Sequence, residues 1–128
     1  MRIFKTKWLM RYARRERIAD HSLREAIERA GRGLIDADLG GGIIKQRVAR
    51  SGQGRSGGYR MLVAYRAGAR AVFLYAFAKN ERENIDPDEL LTWREIGALW
   101  LAKGERDIAL AVAERELEEV ANDEADKT

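Results

Sequence analysis

The stretch "IIKQRVARSGQGRSGGYRMLVAYR" (residues 43–66) decides how the chain is read. In "YRMLVAYR" (59–66), Tyr59, Met61, Val63 and Tyr65 alternate with other residues, and a period of two marks a strand. "IIKQRVA", over about 43–49, reads as a second strand. Between them "SGQGRSGGYR" (51–60) carries Gly52, Gly54, Gly57 and Gly58. Such a link is commonly a flexible turn, but bare backbone N–H groups can also converge on a phosphate. The flanks have to choose between the two. After a turn at Gly68, "RAVFLYAFA" (70–78) supplies a third strand, and the short connections predict an antiparallel meander.

Outward from the meander, "RIFK" (2–5) reads as a short edge strand. Trp8, Leu9, Tyr12 and Ala13 form one stripe of a helix over about 7–17, with Arg11, Arg14, Arg15 and Arg17 on its other face. Asp20 or Ser22 is placed to cap a second helix carrying Leu23, Ala26, Ile27 and Ala30, ended by Gly31 and Gly33. The two make a helical hairpin, and "LIDADLGGG" (34–42) is expected as a loop. Asp86 and Pro87 fit the N-cap and first position of a helix with Leu90, Trp93, Gly97, Trp100 and Leu101 on its apolar side. A further helix is predicted after Gly104, with Leu110, Ala113, Leu117 and Val120 at helical spacing, and "NDEADKT" (122–128) as a disordered end. The expected class is α+β: two N-terminal helices packed on one face of a small antiparallel sheet, the other face open, with C-terminal helices added. The expected division is a domain over 1–103 and an acidic helical extension over 104–128.

Cysteine is absent, so neither a disulfide framework nor a thiolate metal site can be proposed. The basic start has no continuous apolar stretch of the kind a secretory signal or membrane span needs, and a cytoplasmic protein is expected. The net charge of +3 conceals a division. Residues 1–79 hold 18 Lys+Arg against 6 Asp+Glu, a balance of +12, and residues 80–128 hold 6 against 15, a balance of −9. The basic part is the electrostatic footprint of a nucleic-acid binder.

Strand parity gathers the cations. Lys45 and Arg47 are two apart and share a face, while Arg60 has the opposite parity to the apolar Tyr59, Met61, Val63 and Tyr65. Lys79 ends the third strand and Arg55 sits in the glycine link. Each alone is an ordinary solvated cation; together they suit phosphate, which arginine grips as a fork and lysine as a point charge. His21 is the only histidine and reads as an exposed helix residue, so no Ser–His or two-histidine arrangement can be built. The meander strands carry no carboxylate, which argues against a two-metal nuclease site and leaves metal and cofactor out of the expected chemistry. Lysine among other cations is a feasible general base.

At these residues the sequence resembles the RelE/ParE superfamily of toxins from type II toxin–antitoxin systems. The basic strand, the "GRSGG.R" pattern and the "F.KNE..N" ending are most similar to its HigB-like branch, over about residues 1–100. The resemblance implies a microbial-RNase-like fold, metal-independent cutting of mRNA on the translating ribosome, and neutralisation by an antitoxin of helix-turn-helix type. It implies catalytic roles for Lys45, Arg47, Arg60 and Lys79, and contact with RNA or its phosphates for Arg55, Gly57, Gly58, Tyr59 and Asn80. Tyr59 could stack on a base, although its strand parity favours the core. Asn80 follows Lys79 where the best-known ribonuclease members have arginine, and no tyrosine occurs after Tyr75. Two alternatives stay open: within the superfamily that the chain resembles, a ParE-like poison of DNA gyrase, and, as a different class, a nucleic-acid-binding module without catalysis.

Overall fold

A computed structural model describes residues 1–50 and 54–121. The chain runs β1 (Arg2–Thr6), α1 (Lys7–Glu16), α2 (Asp20–Gly31), β2 (Ala37–Gly40), β3 (Ile43–Arg50), β4 (Gly54–Arg66), β5 (Arg70–Ala78), α3 (Pro87–Ala102), α4 (Glu105–Ala113) and β6 (Leu117–Glu119). The six strands form one sheet in the order β2-β3-β4-β5-β1-β6. The meander β3-β4-β5 is antiparallel as expected.

The rest of the sheet corrects the sequence reading. β1 is not an edge strand: it lies between β5, to which it is parallel, and β6. Lys5 makes that interior position tolerable. It is buried, and its ammonium is held by Asp20 at 2.7 Å and Glu118 at 3.1 Å, so the charge is paired. The expected loop over 34–42 contains β2, which pairs with β3. The glycine link is mostly strand, because β4 begins at Gly54; Gly52 and the rest of 51–53 lie outside the described residues, as does the end expected to be disordered.

Helices cover both faces of the sheet rather than one. α1 and α2 enclose a core with Leu9, Tyr12, Leu23, Ile27, Val48, Tyr59, Met61 and Phe73. On the other face α3 and α4 enclose Phe4, Ile43, Leu62, Leu74, Leu101, Ile108 and Leu117. Gly97 lets α3 lie this close: a Cβ there would stand 2.6 Å from Ile43 Cδ1 and 3.2 Å from Ala64 Cβ.

The caps explain the helix limits. Thr6 accepts the Leu9 N–H at 3.3 Å and starts α1, and Arg17 in the left-handed region (φ 58°) ends it. Asp20 is not the cap of α2 but its first residue; Ala19 is the N-cap, without a side-chain bond. The Asp20 carboxylate instead binds Lys5 and accepts the Ala121 N–H at 2.9 Å. Asp86 and Pro87 do open α3, and Arg70 closes its far end by donating to the carbonyls of Trp100 and Lys103 at 2.9 and 2.7 Å. The helix expected through Leu110 and Val120 stops at Ala113. Arg115, left-handed at φ 62°, turns the chain so that Leu117 enters β6 and Val120 follows it, both buried.

Candidate active site: a cationic row on the α3 face

Register fixes which side chains stand together. Arg47 lies directly opposite Arg60, and Arg60 lies opposite Phe77, so one row across β3, β4 and β5 reads Arg47–Arg60–Phe77. The next row reads Lys45–Leu62–Tyr75. Leu62 belongs to the core under α3, which puts both rows on that face. The structure thus brings Lys45, Arg47 and Arg60 together, as the sequence reading expected. Like charges directly opposite each other in a sheet are destabilising, and the register sets the same kind of pair, Arg66 opposite Arg70, at the other end of β4.

α3 leaves the row uncovered. Its Trp93 stacks on Tyr75 with centroids 5.1 Å apart, closing over the second row. Phe77 is shielded instead by Arg82, whose guanidinium sits 5.7 Å from the ring centroid. Arg82 bonds Glu89 at 2.8 Å and the Asn84 carbonyl at 2.9 Å, and reaches the Tyr75 hydroxyl at 3.4 Å. This bond from Arg82 holds the Glu89 carboxyl below its ordinary value. Sequence reasoning missed Arg82; its signal was a cation within "KNERENI", just beyond the last strand.

Lys79 leaves β5 one residue past the Tyr59–Ala78 pair and, with Asn80, is exposed on the turn that follows. Glu81 anchors that turn: its carboxylate accepts the Ala78 N–H at 3.0 Å and the Tyr12 hydroxyl at 3.1 Å. Burial first, and Glu81 second, raise the Tyr12 hydroxyl above its ordinary value. Arg60 Nη1 donates to the Gly58 carbonyl at 3.3 Å, tying its guanidinium to the glycine segment.

The remaining expected residues divide. Gly57 is exposed. Gly58 is buried against β3, where an added Cβ would stand 2.2 Å from the Val48 oxygen and 2.8 Å from the Arg50 nitrogen. That glycine therefore serves strand approach, at an irregularity where Val48 pairs Tyr59 and Arg50 pairs Gly54. Arg55 lies on β4, and its side chain is outside the described residues. Tyr59 is only 2% exposed and sits on the opposite face from Arg60, in the core of α1 and α2. Its hydroxyl donates to Glu16 at 3.0 Å and its ring meets Tyr12 edge-on at 5.8 Å, so it is not part of the row. His21 is exposed on α2. Among the described residues no three His, Cys, Asp or Glu side chains are grouped to hold a metal ion, and no helix is long and apolar enough to cross a membrane.

A pair of opposed arginines, Arg47 exposed and Arg60 half-buried, stands on one row of the sheet of an α+β protein, framed by a helix and a turn. The family model described as the RelE toxin of the RelE/RelB toxin–antitoxin system matches residues 1–120. The chain belongs to that family. A search of curated proteins finds no significant match.

Proposed function

We propose that this RelE-family toxin is a metal-independent endoribonuclease that cuts mRNA on the ribosome, in the cytoplasm, and is neutralised by a cognate antitoxin, as its HigB-like motifs suggest. The observation that supports it most is the Arg47–Arg60 pair, two cations directly opposed on the uncovered row with Lys45 beside them. Phosphate would relieve that repulsion. In the reaction the substrate's 2′-oxygen bonds to phosphorus as the P–O5′ bond breaks, giving a 2′,3′-cyclic phosphate and a free 5′-hydroxyl. Lys45 or Arg47 favours removal of the 2′-proton, Arg60 stabilises charge on the non-bridging oxygens, and Lys79 assists the departing 5′-oxygen. Arg82, held by Glu89 next to Phe77, borders the same row.

The test is cleavage of a ribosome-bound message by purified protein at fixed magnesium. Arg60→Ala and Lys79→Ala are each expected to slow cutting by about 10²–10³, the usual loss when one preorganised donor is removed. Arg66→Ala is the matched control: Arg66 pairs with Arg70 at the opposite end of β4 and should matter little. Full activity in both site variants would discard the assigned residues. Wild-type protein that poisons gyrase and leaves messages intact would select the gyrase function instead.

A further inference from the structure

Arg47 stands where β3 loses its outer partner. The β2–β3 pairing ends at Ala37 opposite Lys45. In an antiparallel ladder, alternate residues turn their N–H and C=O to opposite neighbours. Lys45 turns them toward β2, and Arg47, two residues on, turns its own to the same side, where no strand follows. Two side chains take the place of the missing strand. The Asp36 carboxylate accepts the Arg47 N–H at 2.6 Å, and the Arg29 guanidinium donates to the Arg47 carbonyl. These two groups are themselves an ion pair, Arg29 Nη1 to Asp36 Oδ2 at 3.5 Å, and Arg29 Nε also donates to Glu25 at 2.6 Å. Gln46, fully buried, fixes the segment that carries Asp36. It accepts the Asp36 N–H at 2.8 Å and donates to the carbonyls of Ala26 and Leu34 at 2.8 and 3.3 Å.

Water would satisfy an open strand edge without help from any side chain. The chain instead commits a guanidinium that is only 5% exposed, with the desolvation that burial entails, to the peptide groups of one residue. That residue carries a cation of the row. Among the described residues the Arg47 guanidinium itself makes no hydrogen bond or ion pair, so its aim is set by the backbone beneath it. Because the Arg47 peptide groups turn away from β4, Arg47 and Arg60 are a pair that exchanges no backbone bonds. Opposed Cα atoms stand closest in such pairs, about 4.5 Å apart. A small rotation of the Arg47 peptide therefore changes how far apart the two guanidinium groups stand.

We propose that Asp36 and Arg29 are positioning residues for Arg47, holding its N–H and C=O so that its guanidinium meets the same phosphate as Arg60. The inference rests on the proposed function in taking Arg47 as a phosphate ligand. Asp36 is the residue to change, since it lies at the surface while Arg29 is buried. The test compares wild type, Asp36→Ala, Asp36→Asn, Arg47→Ala and Asp36→Ala/Arg47→Ala as full chains. Fluorescence anisotropy with a labelled oligouridylate gives affinity at fixed salt, and cleavage of ribosome-bound message is followed on the same proteins. Losing a carboxylate beside cations would raise RNA affinity if charge alone mattered. Asp36→Ala should instead weaken binding by about threefold or more and slow cutting at saturating message by about 10–10². Asp36→Asn keeps an oxygen to accept the Arg47 N–H and should recover most of both. In the Arg47→Ala background, Asp36→Ala should cause no further loss. Thermal melts establish that every variant is folded at the assay temperature. A rise in affinity in Asp36→Ala, or an equal loss with and without Arg47, overturns the inference; Asp36 then only seals the sheet edge. Coupling to Arg47 in binding, with messages left intact by wild type, keeps the positioning role and discards the ribonuclease reading. Cleavage without that coupling does the reverse.

Discussion

Leu117→Ala tests whether the C-terminal segment belongs to the folding unit or is the separable extension expected from sequence. Leu117 is 1% exposed and packs in the core with Phe4, Ile108 and Ala111, while Leu110, on the same segment, is 55% exposed. Truncating a buried leucine generally costs about 2–5 kcal/mol through lost transfer energy and the cavity left behind. β6 has three residues and ends the sheet, so its surroundings can partly collapse, and the lower part of that range applies: roughly 2–3 kcal/mol. With a urea slope of about 1–3 kcal/mol per molar, the unfolding midpoint should fall by about 1–2 M. Leu110→Ala should change stability by no more than about 0.5 kcal/mol. Circular dichroism during urea unfolding measures both. An unchanged slope with a shifted midpoint would mean that α4 and β6 unfold with the rest. Equal, small shifts for the two variants would refute the reasoning and restore the boundary at residue 103.

Three further outcomes follow from the same geometry. Gly58→Ala should destabilise by about 1–3 kcal/mol, because its Cβ meets β3 backbone that cannot step aside; Gly31→Ala, with nothing within 4 Å, should be neutral or stabilising by up to about 1 kcal/mol. Thermal melts distinguish the two. In acid, the lowered carboxyls of Asp20 and Glu119 contribute stability that is present above their ordinary values of 3.8 and 4.5 and lost as pH falls through the folded ones. Burial alone would raise Asp20, but the Ala121 N–H and the Lys5 ammonium outweigh it, and Arg2 lowers Glu119. Stability should therefore drop below about pH 4.5, and Asp20→Asn should flatten that drop. Finally, affinity for single-stranded RNA should fall with salt at a log–log slope of about −0.7 per phosphate neutralised, and by about one phosphate less in Arg47→Ala. A flat salt response would remove RNA from the ligands of the row.

The meander was legible because apolar residues of strong strand preference alternate through it. Parity put Lys45 with Arg47 and set Arg60 apart from Tyr59, Met61, Val63 and Tyr65. The strand register, which parity does not give, brings the three cations to one face. β2 was not, because "ADLG" has neither apolar periodicity nor strand preference. β6 escaped for a different reason: Leu110, Ala113, Leu117 and Val120 fit a helix until the left-handed Arg115 breaks it. β1 was read as an edge strand, and the ions that neutralise its buried Lys5 come from α2 and β6, far along the chain. Tyr59 was half legible. Its parity favoured the core, and the structure puts it there, hydrogen-bonded to Glu16. Arg82 showed in the sequence only as a cation just beyond the last strand, since its position beside the row depends on a turn anchored by Glu81 and on a bond to Glu89.

The largest departure from the sequence reading narrows the face on which the candidate cations stand. A sheet covered on one face would have left its whole second face open, and a few cations spread over that area would be ordinary surface residues. α3 instead spans 16 residues, about 24 Å, and fills the rows from Ile43–Ala64 to Tyr75. What remains open is the strip where Arg47 and Arg60 face each other, with Lys45 at its margin and Arg82 over Phe77 beside it. A phosphate brought to that strip, as the proposed function has it, would meet both arginines together, and would be held most tightly where it carries its extra charge in the transition state.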